Sequence, residues 1–464
     1  MPDELSEDTI AAISTPPGEG GVGIVRLSGK NAIEIVAGMF ASSRGKDICK
    51  GRQRVFHGHI RDSRGRSLDE VLVHVMRAPH SYTTEDVVEI NGHGGMAPLR
   101  AILDEALARG ARLARPGEFT RRAFVNGRLD LSRAEAVMDL VHAQTRAALN
   151  AANAAASGAL SRALREMTDT LADALARIEA AVDFPEEDLP ELVDAALLDG
   201  LRRTHARMAE LVQTADAGIL YREGISLAIV GKPNVGKSSL FNALLRDARA
   251  IVSDLPGTTR DRLEETITLE GVPARLVDTA GVRNAENEVE AIGVERARNA
   301  AQQAGLILFV VDVSRPCSPE DVALAEELAK IRTPVVLVRN KMDLVEGADA
   351  GFPNGTLPLQ CVAACSISAT TGAGMRELER RLAALLLGDD APPADAPMLF
   401  RVHQKDSMRR AAASLERLLE NAAASPELLA VDLREALAAL GEITGETTPE
   451  NILDRIFASF CIGK

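Results

Sequence analysis

Gly231-Lys-Pro-Asn-Val-Gly236-Lys237-Ser238 decides the fold of the central part of this chain, because of what flanks it. Ile225–Val230 (ISLAIV) is short, apolar and branched, and Ser239–Leu245 (SLFNALL) repeats at helical period. Between a strand and a helix, G-x-x-x-x-G-K-S is a phosphate loop. Its glycines let backbone N–H groups wrap phosphates, and the helix N-terminus adds partial positive charge. Lys237 is placed to reach the β- and γ-phosphates, and the Ser238 hydroxyl to take a Mg²⁺ position. Taken alone, the same glycines could merely open an ordinary helix. The elements that follow argue against that reading.

Leu276-Val-Asp278-Thr279-Ala280-Gly281 puts an acid at the end of a second apolar strand, followed by a flexible turn. Asp278 suits Mg²⁺ held through water, and Gly281 can offer an N–H to a γ-phosphate. A third apolar run, Leu306–Val311, leads to Asp312, and a fourth, Pro334–Val338, runs into Asn340-Lys341-Met342-Asp343. A carboxylate at Asp343 accepts from the N1–H and exocyclic amine of guanine. Adenine would leave it buried and unpaired. Ser368, Ala369 and Thr370 fit a loop closing over the base, and Thr258-Thr259 sit where a switch threonine binds Mg²⁺. Five elements in this order imply a GTPase module.

The chain has 464 residues, a length suited to about three domains. Its net charge of −14 argues against coating nucleic acid through a global positive field. A local patch stays open: Arg109, Arg112, Arg115, Arg121, Arg122, Arg128 and Arg133 share one stretch whose only acids are Glu118 and Asp130. A solvated face and an RNA or anion contact are equal readings of it. Five scattered cysteines without a C-x-x-C pair suggest a reducing compartment with neither structural zinc nor a disulfide frame. No secretory signal is expected from the acidic start, and no apolar run approaches the ~18–20 residues of a membrane span. The expected location is the cytoplasm.

Four segments are expected. Residues 1–125 alternate strand-like runs (Gly23–Leu27, Glu70–Met76, Val87–Ile90) with helical ones (Asn31–Ala41, Met96–Arg109), a small α+β domain. Gly18-Glu-Gly-Gly-Val-Gly23 formally satisfies G-x-G-x-x-G, but a Pro-Pro turn precedes it and a strand follows, so it is no dinucleotide fingerprint. Residues 126–223 are Ala-rich and helical. Leu160, Leu164, Met167, Leu171, Leu175, Ile178 and Val182 form a stripe ended by Phe184-Pro185, and a second helix is expected from Ala195 to Gly218. Residues 224–387 are the GTPase module. Residues 388–464 open on a linker, GDDAPPADAP, and return to helix. Matching helices on both sides suggest a discontinuous α-helical bundle with the α/β P-loop module inserted; two separate hairpins are the alternative.

Val282 follows Gly281 where Ras-like switches carry a water-orienting Gln. Valine cannot polarise water, so the enzyme either barely turns over or obtains its general base and charge elsewhere. Glu286, Glu288, Glu290 and Glu295 are candidates that these residues alone do not separate.

The whole chain resembles the MnmE/TrmE tRNA-modification GTPases. The segments that carry the likeness are Thr15-Pro-Pro-Gly18 with Gly20-Gly-Val-Gly-Ile-Val-Arg26, and Ser81-Tyr-Thr-Thr-Glu-Asp86 with Glu89 and Gly92-His-Gly-Gly95. Arg115-Pro-Gly-Glu-Phe-Thr-Arg-Arg-Ala-Phe124, Asp254-Leu-Pro-Gly-Thr-Thr-Arg-Asp261 and Phe460-Cys-Ile-Gly-Lys464 complete it. The resemblance implies an N-terminal domain that binds a formyl-tetrahydrofolate donor (5-formyltetrahydrofolate) and mediates homodimerisation, with Arg26, Glu89, Arg128 and Lys464 at the folate site. Arg26 and Arg128 suit glutamyl carboxylates and Glu89 a pterin N–H edge. Glu19 departs from the basic residue expected in the glycine turn.

The resemblance also implies K⁺-stimulated GTP hydrolysis, with Glu290 as the catalytic glutamate. K⁺ would be held by Asn234 and by the loop Ser253, Asp254, Leu255, Pro256, Gly257 and Thr258, with Ser253, Leu255 and Thr258 as ligands. GTP would contact Asn234, Val235, Gly236, Lys237, Ser238 and Ser239, the 253–258 loop with Thr259, and Asp278, Thr279, Ala280 and Gly281. Asn340, Lys341, Asp343, Ser368, Ala369 and Thr370 complete that set, and Mg²⁺ would sit on Ser238 and Thr259. The implied product is a carboxymethylaminomethyl (or aminomethyl) group at C5 of the wobble uridine of certain tRNAs, made with an FAD-dependent MnmG/GidA-type partner. Cys461 is a candidate in that chemistry or a small packing residue. The rival reading is a regulatory RNA- or ribosome-binding GTPase without modification activity. A structural scaffold with a vestigial nucleotide site fails to explain the intact base-reading motif.

Overall fold

The computed structural model describes residues 8–50, 54–183, 194–248, 266–277, 299–345, 357–388, 392–393 and 396–464. The chain divides into two compact units. One comprises Met1–Met138, Ala156–Leu192 and Asn421–Lys464, the other Asp139–Ala155 and Val193–Glu420.

The first unit is built on seven strands: β1 (Ile10–Ile13), β2 (Gly20–Ser28), β3 (Phe40–Ser42), β4 (Val55–Arg61), β5 (Ser67–Met76), β6 (Val87–Gly94) and β7 (Arg112–Leu113), in the order β3-β4-β5-β6-β2-β1-β7. β7 joins β1 in parallel and the other neighbours are antiparallel. Period-two alternation sends Val71, Val73 and Val75 of β5 to one face and Glu70, Leu72 and His74 to the other. On the apolar face lie α1 (Ala32–Met39) and α2 (Met96–Ala108), burying Val36, Met39, Leu99 and Ile102 with Leu27, Val73 and Ile90. The helix expected over Asn31–Ala41 stops at Met39, because Phe40–Ser42 pair with β4 instead. The open face carries Arg26 directly opposite Glu89 in the β2–β6 ladder.

Helices α3 (Glu118–Val125) and α4 (Leu131–His142) continue the chain, followed by α5 (Arg146–Ala156), α6 (Ala159–Asp183) and α7 (Ala195–Glu223). α7 runs straight through Gly218, where the sequence suggested a stop. A Cβ there would lie 2.3 Å from the Leu399 carbonyl, so the glycine admits a crossing chain and does not end the helix.

The module in the second unit has β8 (Ile225–Val230), α8 (Lys237–Ala248), β9 (Thr266–Leu269), β10 (Val272–Val277), β11 (Leu306–Asp312), α9 (Pro319–Ala329), β12 (Val335–Asn340), β13 (Ala363–Ser366) and α10 (Met375–Leu387). Its sheet runs β13-β12-β11-β8-β10-β9, with only β9 antiparallel. All of β11 is buried. Leu308 and Val310 face the α8 and α10 layer, while Phe309 and Val311 face α9. β8 lies between β10 and β11, so the loop after it opens at the switch point where open α/β sheets bind ligands.

After the module come α11 (Val402–Glu420), α12 (Pro426–Thr444) and α13 (Glu450–Ala458). α6 packs against α12 in the first unit, and α7 against α11 in the second. Helices from before and after the module thus pair with one another, which makes the helical part discontinuous. The linker reading of 388–397 stops short of Met398, Leu399 and Phe400, all buried.

Candidate functional site

The phosphate loop is held open by its own carbonyl bonds. Lys237, the first residue of α8, donates Nζ to the carbonyls of Gly231 (2.7 Å) and Lys232 (2.8 Å). Burial lowers its pKa from 10.5 to about 8, the cost of an ammonium held out of water until an anion meets it. Asn234 is left-handed at φ 64°, which turns its carbonyl toward Lys341 Nζ at 2.8 Å. Lys341 also pairs with Asp312 at 2.7 Å, and Lys232 Nζ reaches Ser318 Oγ (3.0 Å) and Asp321 Oδ2 (2.7 Å). Burial opposes the ionisation of Asp312, but the bonds from Lys341 and Ser314 outweigh it and keep its carboxyl below the usual range.

Asn340, 2% exposed at the end of β12, joins the two halves of the site. Its Nδ2 donates to the Val235 carbonyl (2.9 Å) and its Oδ1 accepts from Ala369 N–H (3.0 Å). Gly236 lies at φ 94°, and a Cβ there would come 2.2 Å from Asn340 Nδ2. Asp343 is exposed in a short 3₁₀ turn, Met342–Leu344, on the side of Asn340 and Lys341. Ser368 is buried and its Oγ accepts from Thr371 N–H, closing the turn that presents Ala369 and Thr370. Ser239, Ala369 and Thr370 border a broad cleft of about 740 Å³ between the starts of α8 and α10. Ser238 occupies the second position of α8.

Ser253, Asp254, Leu255, Pro256, Gly257, Thr258 and Thr259 lie outside the described residues. So do Asp278, Thr279, Ala280, Gly281, Val282, Glu286, Glu288, Glu290 and Glu295. The sequence argument did not single out Lys232, Ser318 or Asp321, and it named Asp312 without giving it a role. Their partners are far apart in the chain, and only the β-α-β crossovers bring them together.

A second cluster lies on the open face of the first sheet. Arg26 Nε donates to Glu89 Oε1 at 2.8 Å and Arg26 Nη1 to the Gly463 carbonyl at 3.0 Å. The Arg26 guanidinium stands 6.0 Å from the Tyr82 ring centre and 5.6 Å from that of Phe119. Arg128 approaches the same Tyr82 ring at 4.9 Å and donates to the Tyr82 carbonyl. The tail that brings in Gly463 and Lys464 is anchored by Phe457 and Phe460, packed with Phe124, Leu131 and Met138. Burial lowers the Lys464 pKa, and the Arg26 cation lowers it further. Arg26, bonded to Glu89 and to the Gly463 carbonyl beside Lys464, thus meets Arg128 at Tyr82, with Phe119 also beside Arg26; the sequence reading assigned neither ring. Arg26 and Glu89 are bonded to each other, so they present one joined cation–carboxylate pair on this face.

The arginine stretch is mostly consumed inside the fold. Arg112 pairs with Asp8 and Glu118, Arg122 with Asp8, Glu85 and Glu118, Arg109 with Glu105, and Arg121 with Glu450 and Asp454. Arg133 Nε donates to the Ala156 carbonyl. Arg115 is exposed, and Arg128 lies at the Tyr82 ring. Among the described residues no helix is long and apolar enough to cross a membrane, and none of the His, Cys, Asp and Glu groups forms a metal cluster.

A family model described as MnmE helical domain matches residues 131–461, and one described as GTP-binding protein TrmE N-terminus matches residues 9–128. The tRNA modification GTPase MnmE of Alkaliphilus metalliredigens is 44% identical over 465 residues, covering 99% of this chain and 99% of that protein. The protein of that name from Roseiflexus castenholzii is 46% identical over 477 residues (99% and 100% covered). That of Chloroflexus aurantiacus is 47% identical over 464 residues (98% and 100% covered). Likeness of this extent runs through the first sheet, the helices on both sides and the phosphate loop alike, and with the base-reading motif in place the chain is a GTPase belonging to the MnmE family of tRNA modification GTPases.

Proposed function

We propose that this protein hydrolyses GTP to drive modification of the wobble uridine of tRNA at C5. It would act as a homodimer in the cytoplasm with an FAD-dependent MnmG/GidA-type partner, adding a carboxymethylaminomethyl group from a formyl-tetrahydrofolate donor. The observation that carries this reading is the coexistence, on one chain of this family, of a guanine-type phosphate loop and a separate cationic-aromatic site. A regulatory GTPase would need only the first.

In this reading Asp343 accepts from the guanine edge, and Asn340 couples base binding to the loop by holding Val235 and Ala369 together. Lys237, held by the Gly231 and Lys232 carbonyls, presents its ammonium to the β- and γ-phosphates from a low-dielectric cradle, so its charge is unscreened where it acts. Ser238 suits Mg²⁺, because a hydroxyl in the first turn of a phosphate-loop helix is the ligand type that ion takes; Mg²⁺ supplies neutralisation of the phosphate charge. Asn234 is suited to K⁺: its left-handed turn places an amide side chain on the phosphate loop. K⁺ would supply the charge that an arginine finger supplies elsewhere, and Glu290 would order the water. In the N-terminal domain Arg26 orients the Glu89 carboxylate toward a pterin N–H edge, Tyr82 and Phe119 offer apolar walls, and Arg128 and Lys464 await the donor's carboxylates.

Mass analysis of tRNA nucleosides from cells lacking this chain tests the proposal. Loss of the C5-modified wobble uridine is expected; unchanged wobble uridines would show that the chain does something else.

A further inference from the structure

The phosphate loop has one anchor that the base-reading motif does not supply. Lys232 extends from the loop to the N-terminus of α9, where Ser318 and Asp321 form a reciprocal capping box. Asp321 Oδ2 accepts from Lys232 Nζ (2.7 Å), Ser318 Oγ (2.8 Å) and Ser318 N–H (3.0 Å), while its Oδ1 is buried with no partner among the described residues. The Asp321 side chain is 1% exposed and that of Lys232 16%. A cap needs only the serine and the carboxylate. The cation is an addition, and it sits on the residue whose main-chain carbonyl accepts from Lys237 Nζ.

We propose that Lys232 is a positioning residue for GTP binding. By pinning its side chain to Asp321 and Ser318 it fixes its own carbonyl, and with it the direction in which Lys237 presents its ammonium to the phosphates. This rests on the assignment of the loop to GTP. Lys237 is otherwise tethered through the Gly231 carbonyl alone among the contacts described above. A loop free to turn at Lys232 would let the ammonium swing away from the line of the phosphates. The neighbouring anchors act further along the loop, Lys341 on Asn234 and Asn340 on Val235, so neither replaces it.

The test compares GTP and GDP binding, thermal midpoint and turnover in the full-length protein. Lys232→Met should weaken both nucleotides about tenfold, and Lys232→Arg, which keeps a cation for Asp321, should stay within about threefold of wild type. In Lys232→Met, KM should rise while kcat falls less, since the loop acts mainly on phosphate binding. A purely structural cap would lower the thermal midpoint and leave nucleotide affinity alone, and that result overturns the proposal. Equal losses in Lys232→Met and Lys232→Arg overturn it too. Asp321→Asn keeps shape and cap while removing the charge that holds Lys232, so it serves if Lys232→Met fails to fold. It should weaken GTP severalfold, and unchanged affinity would refute the pair's role. Wild-type protein that binds no GTP would instead refute the assignment of the loop itself.

Discussion

Asn340 holds Val235: its side-chain amide donates to the Val235 carbonyl at 2.9 Å, across 105 residues of sequence. The same side chain accepts from Ala369 on the other side. The residue read from sequence as part of a base-recognition motif is thus also the bolt between phosphate loop and base loop. Replacing it with Ala leaves a buried carbonyl unpaired, at a cost of about 1–3 kcal/mol, and a half-buried N–H without its acceptor. Asn340→Ala should therefore weaken GTP roughly tenfold to a hundredfold. Gly236→Ala should do the same by another route, since its Cβ would collide with the amide. Fluorescent-nucleotide titration checks both; wild-type affinity in either would mean the loop does not depend on the bolt.

Burial of Lys237 has a consequence for pH. With a pKa of about 8 in the fold and 10.5 as its ordinary value, the folded protein binds fewer protons than the unfolded chain between those limits. This residue's contribution to stability therefore rises with pH through that window, and below about pH 8 the buried charge is a penalty. GTP binding has the opposite slope. The phosphates require the ammonium, so above about pH 8 binding must take up a proton and should weaken, by at most about tenfold per unit. Calorimetry at pH 8.5 in two buffers of different ionisation enthalpy should detect that proton. Equal affinity at pH 7 and pH 9 with no uptake would contradict the account.

Much of the module was legible because β11 is an apolar run buried throughout, and β8 and β12 are mostly apolar and mostly buried. The first sheet was harder to see. β4 reads VFHGHIR, and its open face carries His57 and His59 where alternation would be sought from clearer polar residues. β3 is too short to carry a period at all and forms because β4 offers it a partner. Gly218 misled as a helix stop because its reason for being glycine is a chain crossing from position 399. The folate candidates were identified by likeness, but the ion pair Arg26–Glu89 and the rings of Tyr82 and Phe119 emerge only from strand register and from α3. Lys232–Asp321 was invisible for the same cause, since 89 residues and a crossover separate the partners.

In the proposed reading specificity for guanine falls to Asp343, on a 3₁₀ turn that follows Asn340 and Lys341. Asp343→Asn replaces an acceptor pair with one acceptor and one donor. GTP should bind more weakly, and xanthosine triphosphate, which carries a carbonyl in place of the amine, should bind better than it does to wild type. Unchanged GTP affinity would remove Asp343 from the base site.

The proposed folate site makes a separate prediction, because Arg26 and the phosphate loop belong to different units. Arg26→Ala removes the guanidinium that orients Glu89 and holds the Gly463 carbonyl. Binding of 5-formyltetrahydrofolate should weaken by about 1.5–3 kcal/mol, the worth of the charge-assisted hydrogen bond that Glu89 makes to the ligand only while Arg26 orients it. GTP affinity should stay as it is. Calorimetry on both ligands separates the cases, and a wild-type protein that binds no folate would remove the proposed role of that face.

Hydrolysis makes the most exacting demand on the proposal. Val282 cannot order water, and an arginine finger is worth roughly 10³–10⁵ in rate, about 4–7 kcal/mol at the transition state. A desolvated K⁺ beside the phosphates could supply a comparable share, with Asn234 as its side-chain ligand and Glu290 ordering the water. GTP turnover should then fall strongly when Na⁺ replaces K⁺ at equal ionic strength. Asn234→Ala should abolish the difference between the two ions, since it removes the ligand that distinguishes them. Glu290→Ala should slow hydrolysis and leave GTP binding intact, because it acts on the attacking water and not on the ground state. Equal turnover in K⁺ and Na⁺ would eliminate the ion from the mechanism. Hydrolysis at the wild-type rate in Glu290→Ala would return the choice of base to Glu286, Glu288 and Glu295.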